Sequence, residues 1–421
     1  MRVAVIARSV YPLHRFGGLE RHVYDLVRCL LARDVKIALL TPPASPNRPA
    51  DSGADAVFRH PNFTMRPVPY ITFPFANRRG TTILDRSTAY PLFGHRAGRL
   101  AARMASAGEI DIVHGLGASV LGYATAPLQA SARVPLVLNP QGLEEFGATD
   151  PSRAPLKRLG YWPLRVAVRR AAHAADRVIA TDRSLVTPVI THLGVSKDVV
   201  RVIPNAIEPA ECDRPESPSR GQALRTELGL QSDDVLLLSV GRLEANKGFD
   251  VLIRALGRLV RQKALPARWR WVLVGDGPMR ESLQRALEVE GLSPFAAMRG
   301  RATGEDLHGW YETATLFVHP TLYEGSSIVT LEAMAHRRAV VASRAGGLPD
   351  KVIPGVTGWL VPPGNEEALS ATISKALADP SKLLSMGAAG RALVEKDFSW
   401  RAATDRLLAV YAELLGQRNS L

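Results

Sequence analysis

Two cations and two carboxylates carry the chemistry this chain offers. Arg242 and Lys247 stand five residues apart within Ser239-Val-Gly-Arg-Leu-Glu-Ala-Asn-Lys-Gly248. Glu324 and Glu332 stand eight apart within Glu324-Gly-Ser-Ser-Ile-Val-Thr-Leu-Glu332. An arginine is a planar fork and a lysine a point charge, and the two together suit a diphosphate. Carboxylates are strong acceptors for sugar hydroxyls. Each piece alone has a plainer reading: loop Arg and Lys side chains are usually solvated, and two Glu around a short apolar run make a helix start and a solvated helix face.

The elements that must position these groups are legible around them. Val235-Leu-Leu-Leu-Ser-Val240 is an apolar run of the kind that forms a buried parallel strand. It ends in a Gly turn and passes into a helical pattern from Phe249 to Val260. Arg242 and Lys247 therefore fall on a strand-to-helix loop at the carboxyl edge of a sheet, where open α/β sheets bind ligands. In the second segment Ser326 or Ser327 is the expected N-cap, with Glu324 in the loop and Glu332 in the helix. The backbone N–H groups of Ser326, Ser327 and Ile328 then offer the positive end of a helix to an anion.

Taken in order, the motifs resemble those of the family 4 retaining glycosyltransferases, which have the GT-B fold. Gly241-Arg242 with Lys247-Gly248 is followed by Val274-Gly-Asp-Gly-Pro278, then Glu324-Gly325 with Glu332-Ala-Met-Ala335. Gly346-Gly347 and Gly358-Trp-Leu-Val-Pro-Pro-Gly364 complete the pattern. The resemblance implies two Rossmann-like, doubly wound parallel-sheet domains facing each other across a cleft. It implies an N-terminal acceptor-side domain over residues 1–208, with the segment 400–421 packing back on it, and a nucleotide-sugar-binding domain over 209–399. It implies transfer of a sugar from a nucleoside-diphosphate sugar to a glycan or lipid-linked acceptor, with retention of configuration and no bound metal. Glu324, Arg242 and Lys247 become the catalytic candidates. Gly17, Gly18, Gly241, Gly277, Ser326, Ser327, Ile328 and Glu332 become the donor-binding ones. Glu332 suits the ribose, and Glu324 the donor sugar or the charge developing at its anomeric carbon. Where many members carry His-Gly, this chain has Gln141-Gly142, so a proton-exchanging role there does not transfer; Gln141 and Glu144 are candidate sugar or acceptor contacts. Pro204-Asn205-Ala206 resembles the family's Pro-Asn-Gly near the domain joint.

The totals agree with this class. A length of 421 residues suits two or three domains, and 46% apolar residues suffice for their cores. No apolar run approaches the ~18 residues of a membrane span, and the first residues are too briefly apolar for a signal peptide. Cys29 and Cys212 exclude a disulfide framework and favour a reducing, cytoplasmic setting; Cys29 reads as a small core residue. Neither an Asp-x-Asp motif nor a His/Cys cluster at ligand spacing is found, so no metal or other cofactor is expected. Residues 1–210 hold 27 Lys and Arg against 15 Asp and Glu, or +12, whereas 211–421 hold 26 against 25, or +1. This asymmetry points to an anionic partner for the first half, a membrane surface or a charged acceptor. No nucleic-acid-binding module accompanies the charge.

Along the first half, Val3-Ala-Val-Ile-Ala7 and Val35-Lys-Ile-Ala-Leu-Leu40 read as strands, with Gly17-Gly18 opening a helix between them. Residues 41–95, with nine prolines and the run Arg66-Pro-Val-Pro-Tyr-Ile-Thr-Phe-Pro-Phe75, read as irregular. The aromatics there, beside Arg78, Arg79 and Arg86, could meet an acceptor or lipid headgroups, or pack on the domain. Arg165, Arg169 and Arg170 beside Trp162 form a basic amphipathic helix that could lie on an anionic bilayer or simply face solvent. The polar stretch 209–222, with three prolines, reads as the linker between halves. Two other readings of the chain are a nucleotide-sugar epimerase on the same fold, which Gln141 disfavours, and a non-catalytic carbohydrate- or membrane-binding protein, which the presence of all four charged residues disfavours.

Overall fold

The computed structural model describes residues 1–14, 18–44, 54–71, 82–141, 143–146 and 159–419. The chain divides into two compact units, Met1–Asn205 with Trp400–Leu421, and Ala206–Ser399. Each is built on one parallel sheet, because each strand is followed by a connection long enough to carry the chain back across the sheet, in most cases through a helix.

The first unit holds seven strands: β1 (Arg2–Ile6), β2 (Lys36–Thr41), β3 (Phe63–Pro67), β4 (Ile112–Leu116), β5 (Leu136–Asn139), β6 (Arg177–Ala180) and β7 (Val200–Val202). Their order is β3-β2-β1-β4-β5-β6-β7. Val3 lies opposite Ile37 on one side and Ile112 on the other. Val3, Ala4, Val5 and Ile6 are wholly buried, as expected where helices cover both faces. The last helix, Trp400–Asn419, belongs to this unit although it ends the sequence. Tyr411 is wholly buried with its hydroxyl 2.6 Å from His114 Nδ1. Arg177 and Arg201 both reach Glu413, at 2.5 and 2.9 Å.

The second unit holds six: β8 (Val235–Val240), β9 (Trp269–Val274), β10 (Ala296–Gly300), β11 (Leu316–His319), β12 (Val340–Ser343) and β13 (Gly358–Val361), in the order β10-β9-β8-β11-β12-β13. β8 is central, with β9 on one side and β11 on the other. The connections leaving β8 and β11 therefore run to opposite sides, and the gap between their carboxyl ends is the switch point of the sheet.

Two expectations from the sequence are corrected here. Residues 41–95 are not irregular throughout: the helix Ala54–Phe58, β3 and the 25-residue helix Thr82–Ser106 form within or from them. The last of these helices carries Pro91 and Gly94 in its interior. A Cβ on Gly94 would stand 1.9 Å from the Ala118 carbonyl oxygen, so glycine is what allows that helix to press on the Gly117–Val120 turn. Within the aromatic run, Tyr70 packs on Phe93 at 5.4 Å and accepts a hydrogen bond from Arg8 Nε at 3.0 Å, and Arg86 lies over Tyr161. These groups serve the domain's own packing; Arg78 and Arg79 lie outside the described residues. The stretch 209–222 is likewise structured, as the 3-10 helix Pro209–Cys212 and the start of the helix Ser217–Glu227. Pro218 sits in the first helical turn, where a missing N–H is no loss. Cys29 is only half-buried, short of the core position expected.

Candidate functional site

Four loops at the carboxyl ends of β8, β9, β11 and β12 are tied together by backbone hydrogen bonds. The loop after β8 contains the 3-10 turn Ala245–Lys247. The Leu243 N–H donates to Asp276 O at 3.0 Å, and the Met279 N–H to Leu243 O at 2.9 Å. Asn246 O accepts from the Leu322 N–H at 2.7 Å and from the Thr321 hydroxyl at 2.9 Å, which fastens the loop after β11 to the loop after β8. The Gly347 N–H donates to Gly325 O at 3.0 Å, adding the loop after β12. Glycine is needed at two of these crossings. A Cβ on Gly277 would stand 2.6 Å from Leu243 O, and one on Gly346, whose φ is +51°, would stand 1.8 Å from Glu324 O. At Gly241 a Cβ would meet only the Phe249 ring at 3.5 Å.

This frame brings Lys247 and Glu324 into contact across 77 residues of sequence. Lys247 Nζ lies 2.8 Å from Glu324 Oε2, and His319 Nε2 lies 2.8 Å from the same oxygen. The Lys247 and Glu324 side chains are 17% and 12% exposed, and His319 is wholly buried. Burial alone would raise the Glu324 pKa, but the His319 hydrogen bond and the charges facing it hold it down at about 2. Glu324 is therefore an anion at any pH the protein meets. Because a carboxylate only accepts, His319 Nε2 carries the proton, and its Nδ1 is left buried without a partner.

The helix Ile328–Ala335 follows. Of the two candidate caps, Ser327 is the one used: its hydroxyl accepts from the Thr330 N–H at 3.4 Å and lies 3.4 Å from His319 Nε2. Ser326 instead faces a buried lysine, with Lys351 Nζ 3.2 Å from its hydroxyl. Ile328 opens the helix. Glu332, one turn in, is partly buried and accepts a hydrogen bond from the Tyr311 hydroxyl at 2.7 Å. Burial raises its pKa, and the Tyr311 bond opposes that rise. Arg242 stands apart, 77% exposed and 2.9 Å from Glu244. The two cations expected at a diphosphate thus each rest on a different glutamate, and only Lys247 is drawn into the cluster.

In the first unit Gln141 follows β5 with φ +63°, in the left-handed region that a side-chain-bearing residue seldom occupies. Its N–H donates to Asn139 Oδ1 at 3.1 Å, while its own Nε2 is buried without a partner. Strain and an unmet donor in one residue are common where a ligand is to be met. Gly18 opens the helix Gly18–Leu31 with open space where a Cβ would lie. Gly17 and the Glu144 side chain lie outside the described residues.

His319, Tyr311 and Lys351 take part in this arrangement and were not singled out as site residues from the sequence. His319 is the last residue of β11, five before Glu324, and that position carried a usable signal. Tyr311 and Lys351 had none, being ordinary residues of the helices Glu305–Thr313 and Leu348–Lys351 until folded. Sequence spacing shows no His/Cys cluster, but Cys212, His308 and His336 converge in the second unit, with one ligand atom of each within 4.8 Å of the others. Their separations of 96 and 28 residues match no spacing rule.

Residues 234–379 match the model of Glycosyl transferases group 1, and residues 16–211 match that of Glycosyltransferase Family 4. The chain is 30% identical over 97% of its length to D-inositol 3-phosphate glycosyltransferase 1 of Catenulispora acidiphila, covering 95% of that protein. Among solved structures, sucrose-phosphate synthase from Thermosynechococcus elongatus superposes with a TM-score of 0.74 at 22% identity, covering 99% of both chains. Anabaena HepE in complex with UDP gives 0.70 at 22% identity, covering 98% of this chain and 100% of that one. Matches over nearly the whole length, on two doubly wound sheets of GT-B type, lead to one assignment: the chain belongs to the family 4 glycosyltransferases.

Proposed function

We propose that this glycosyltransferase moves a sugar from a nucleoside-diphosphate sugar to a glycan or lipid-linked acceptor, with retention of anomeric configuration. The observation that carries the reading is the Lys247–Glu324–His319 cluster at the switch point of the second sheet. The leaving diphosphate gathers negative charge as the glycosidic bond breaks, and preorganised donors there lower the barrier. Lys247 has three N–H donors, so it can hold Glu324 and still donate to a phosphate oxygen. Arg242, on the neighbouring stretch of the same loop, exchanges its exposed partner Glu244 for phosphate at little cost, since a surface pair contributes only ~0–1 kcal/mol. Glu324, permanently ionised, accepts from sugar hydroxyls and faces the charge developing at the anomeric carbon. Glu332, already oriented by Tyr311, accepts from the ribose hydroxyls. The N–H groups of Ser326, Ser327 and Ile328 add the start of the helix Ile328–Ala335 to the phosphate side. Gly241 and Gly277 shape the loops that receive the nucleotide. Gln141 offers its unmet amide to sugar or acceptor. Gly17, Gly18 and Glu144 are further contacts on the acceptor domain. We place the work in polysaccharide or lipopolysaccharide assembly, in the cytoplasm or on the inner membrane face.

A panel of nucleotide sugars tested for thermal stabilisation checks the donor class, each ligand stabilising by RT ln(1 + [L]/Kd). One sugar nucleotide is expected to stand out, and its nucleoside diphosphate to be released only when acceptor is added. Release of an epimerised donor without acceptor would favour the epimerase reading, and stabilisation without turnover the binding-protein reading. If no nucleotide sugar stabilises the protein, the donor site is not where we place it.

A further inference from the structure

Beneath Glu332 lies a second polar cluster, outside the candidate donor contacts. His308 is on the helix Glu305–Thr313, His336 caps the end of the helix Ile328–Ala335, and Cys212 ends the 3-10 helix Pro209–Cys212. His308 Nδ1 and His336 Nε2 face each other at 3.0 Å. The other nitrogen of His336, Nδ1, lies 3.1 Å from Glu312 Oε2. Cys212 and His336 are buried and His308 half-buried. Tyr311 lies flat on the His336 ring, 5.4 Å between centroids and 12° between planes, and carries the hydroxyl that holds Glu332.

We propose that Cys212, His308 and His336 bind a zinc ion. One thiolate and two imidazoles are a borderline-soft donor set of the kind zinc takes, tetrahedrally. Bonds of about 2.0–2.1 Å to nitrogen and about 2.3 Å to sulfur need the three ligand atoms roughly 3.3–3.6 Å apart. The imidazole nitrogens, 3.0 Å apart, are already near that separation, and one ligand atom of each of the three residues lies within 4.8 Å of the others. Glu312 is the carboxylate that zinc-binding histidines commonly hold on their far nitrogen: it fixes the His336 proton on Nδ1 and leaves the Nε2 lone pair facing inward. The proton balance is simple. The Cys212 thiol releases its proton to solvent, and His308 shifts its own from Nδ1 to Nε2, so that both inward nitrogens and the sulfur become donors to the metal. Three protein ligands leave a fourth position for water. The ion would pin three segments distant in sequence, directly under the tyrosine that orients Glu332.

The test uses the full chain without a histidine tag, stripped with a chelator and then titrated with Zn2+ and with Co2+ as a spectroscopic probe. One zinc per chain is expected, with a rise in thermal midpoint. The Co2+ form should show tetrahedral d–d bands and a thiolate-to-metal charge-transfer band. Cys212→Ser should abolish the charge-transfer band, and it and His308→Gln should each weaken Zn2+ binding at least tenfold, as folded proteins with unchanged circular dichroism. A Co2+ spectrum lacking the thiolate band would overturn the proposal, as would either folded variant binding Zn2+ like the wild type.

Discussion

At the scale of single residues, Lys247 and Glu324 are the decisive pair. Lys247→Ala should weaken nucleoside diphosphate binding by roughly 10- to 100-fold, the worth of a charge-assisted contact of ~1.5–3 kcal/mol, while leaving nucleoside binding nearly unchanged. Calorimetry with both ligands checks this; equal losses would take Lys247 out of the diphosphate site. Glu324 predicts a pH dependence whose sign follows from its depressed pKa. Its folded value, about 2, is below the 4.5 of the unfolded chain. The stabilisation from its ion pair is thus fully present above about pH 4.5 and lost as pH falls through about 2, a contribution of about 3 kcal/mol. Glu324→Gln never had it. The difference in urea midpoint between wild type and Glu324→Gln should accordingly be constant from pH 7 to 5 and shrink steadily below that. A difference unchanged at pH 3 would mean that Glu324 is not held as an anion by Lys247 and His319.

At the scale of elements, the site is a product of loop convergence, and the glycines at the crossings set its tolerance. Gly346 and Gly355 both have positive φ, +51° and +80°, so an alanine costs ~1–2 kcal/mol of backbone strain at either. They differ in surroundings: a Cβ on Gly346 meets Glu324 O at 1.8 Å, whereas among the described residues, its chain neighbours aside, nothing lies within 4 Å of one on Gly355. Gly346→Ala must therefore move the Glu324 loop, and should lower donor affinity tenfold or more besides destabilising the unit. Gly355→Ala should show the strain alone, with donor affinity intact. Denaturation and donor titration of the two variants side by side decide it. Equal donor affinity in both would show that the loop after β12 does not hold Glu324 in place.

At the scale of the whole molecule, two features frame the acceptor question: a basic first half, and no helix among the described residues long and apolar enough to cross a membrane. The structure narrows which arginines can serve a partner. Arg165 and Arg169 lie over the Phe146 ring at 5.2 and 5.5 Å, and Arg169 Nε donates to His192 O at 2.6 Å. They buttress the domain's own loop, whereas Arg170 is exposed and Trp162 is 63% exposed. Each basic residue near an anionic bilayer adds about 1 kcal/mol, so a handful suffices for reversible attachment. The expected result is sedimentation with anionic liposomes at low salt, release as salt rises, and a several-fold loss in the Arg170→Glu, Trp162→Ala double variant. Wild-type protein that ignores anionic liposomes at low salt would leave the charge to a soluble acidic acceptor.

What could be read from the residues in order was whatever depends on near neighbours. Apolar runs such as Val235–Val240 and Leu316–His319 announce buried strands, and the turns after them place Arg242, Lys247 and Glu324 at a sheet's carboxyl edge. Periodicity and turn chemistry act over a few residues, so these expectations hold in the fold. Reading failed where distant chain segments outweigh local preference. The helix Thr82–Ser106 holds Gly94 in its interior because a neighbouring turn requires that close approach. Pairing failed for the same reason. Lys247 meets Glu324, Tyr311 meets Glu332, and Cys212 joins His308 and His336 only because loops and helix ends 21 to 124 residues apart are brought to one place. A side chain's type states which partners it accepts; which of them stands within 3 Å is decided by strand order and by the backbone hydrogen bonds that pin the loops, and those exist only in the folded chain.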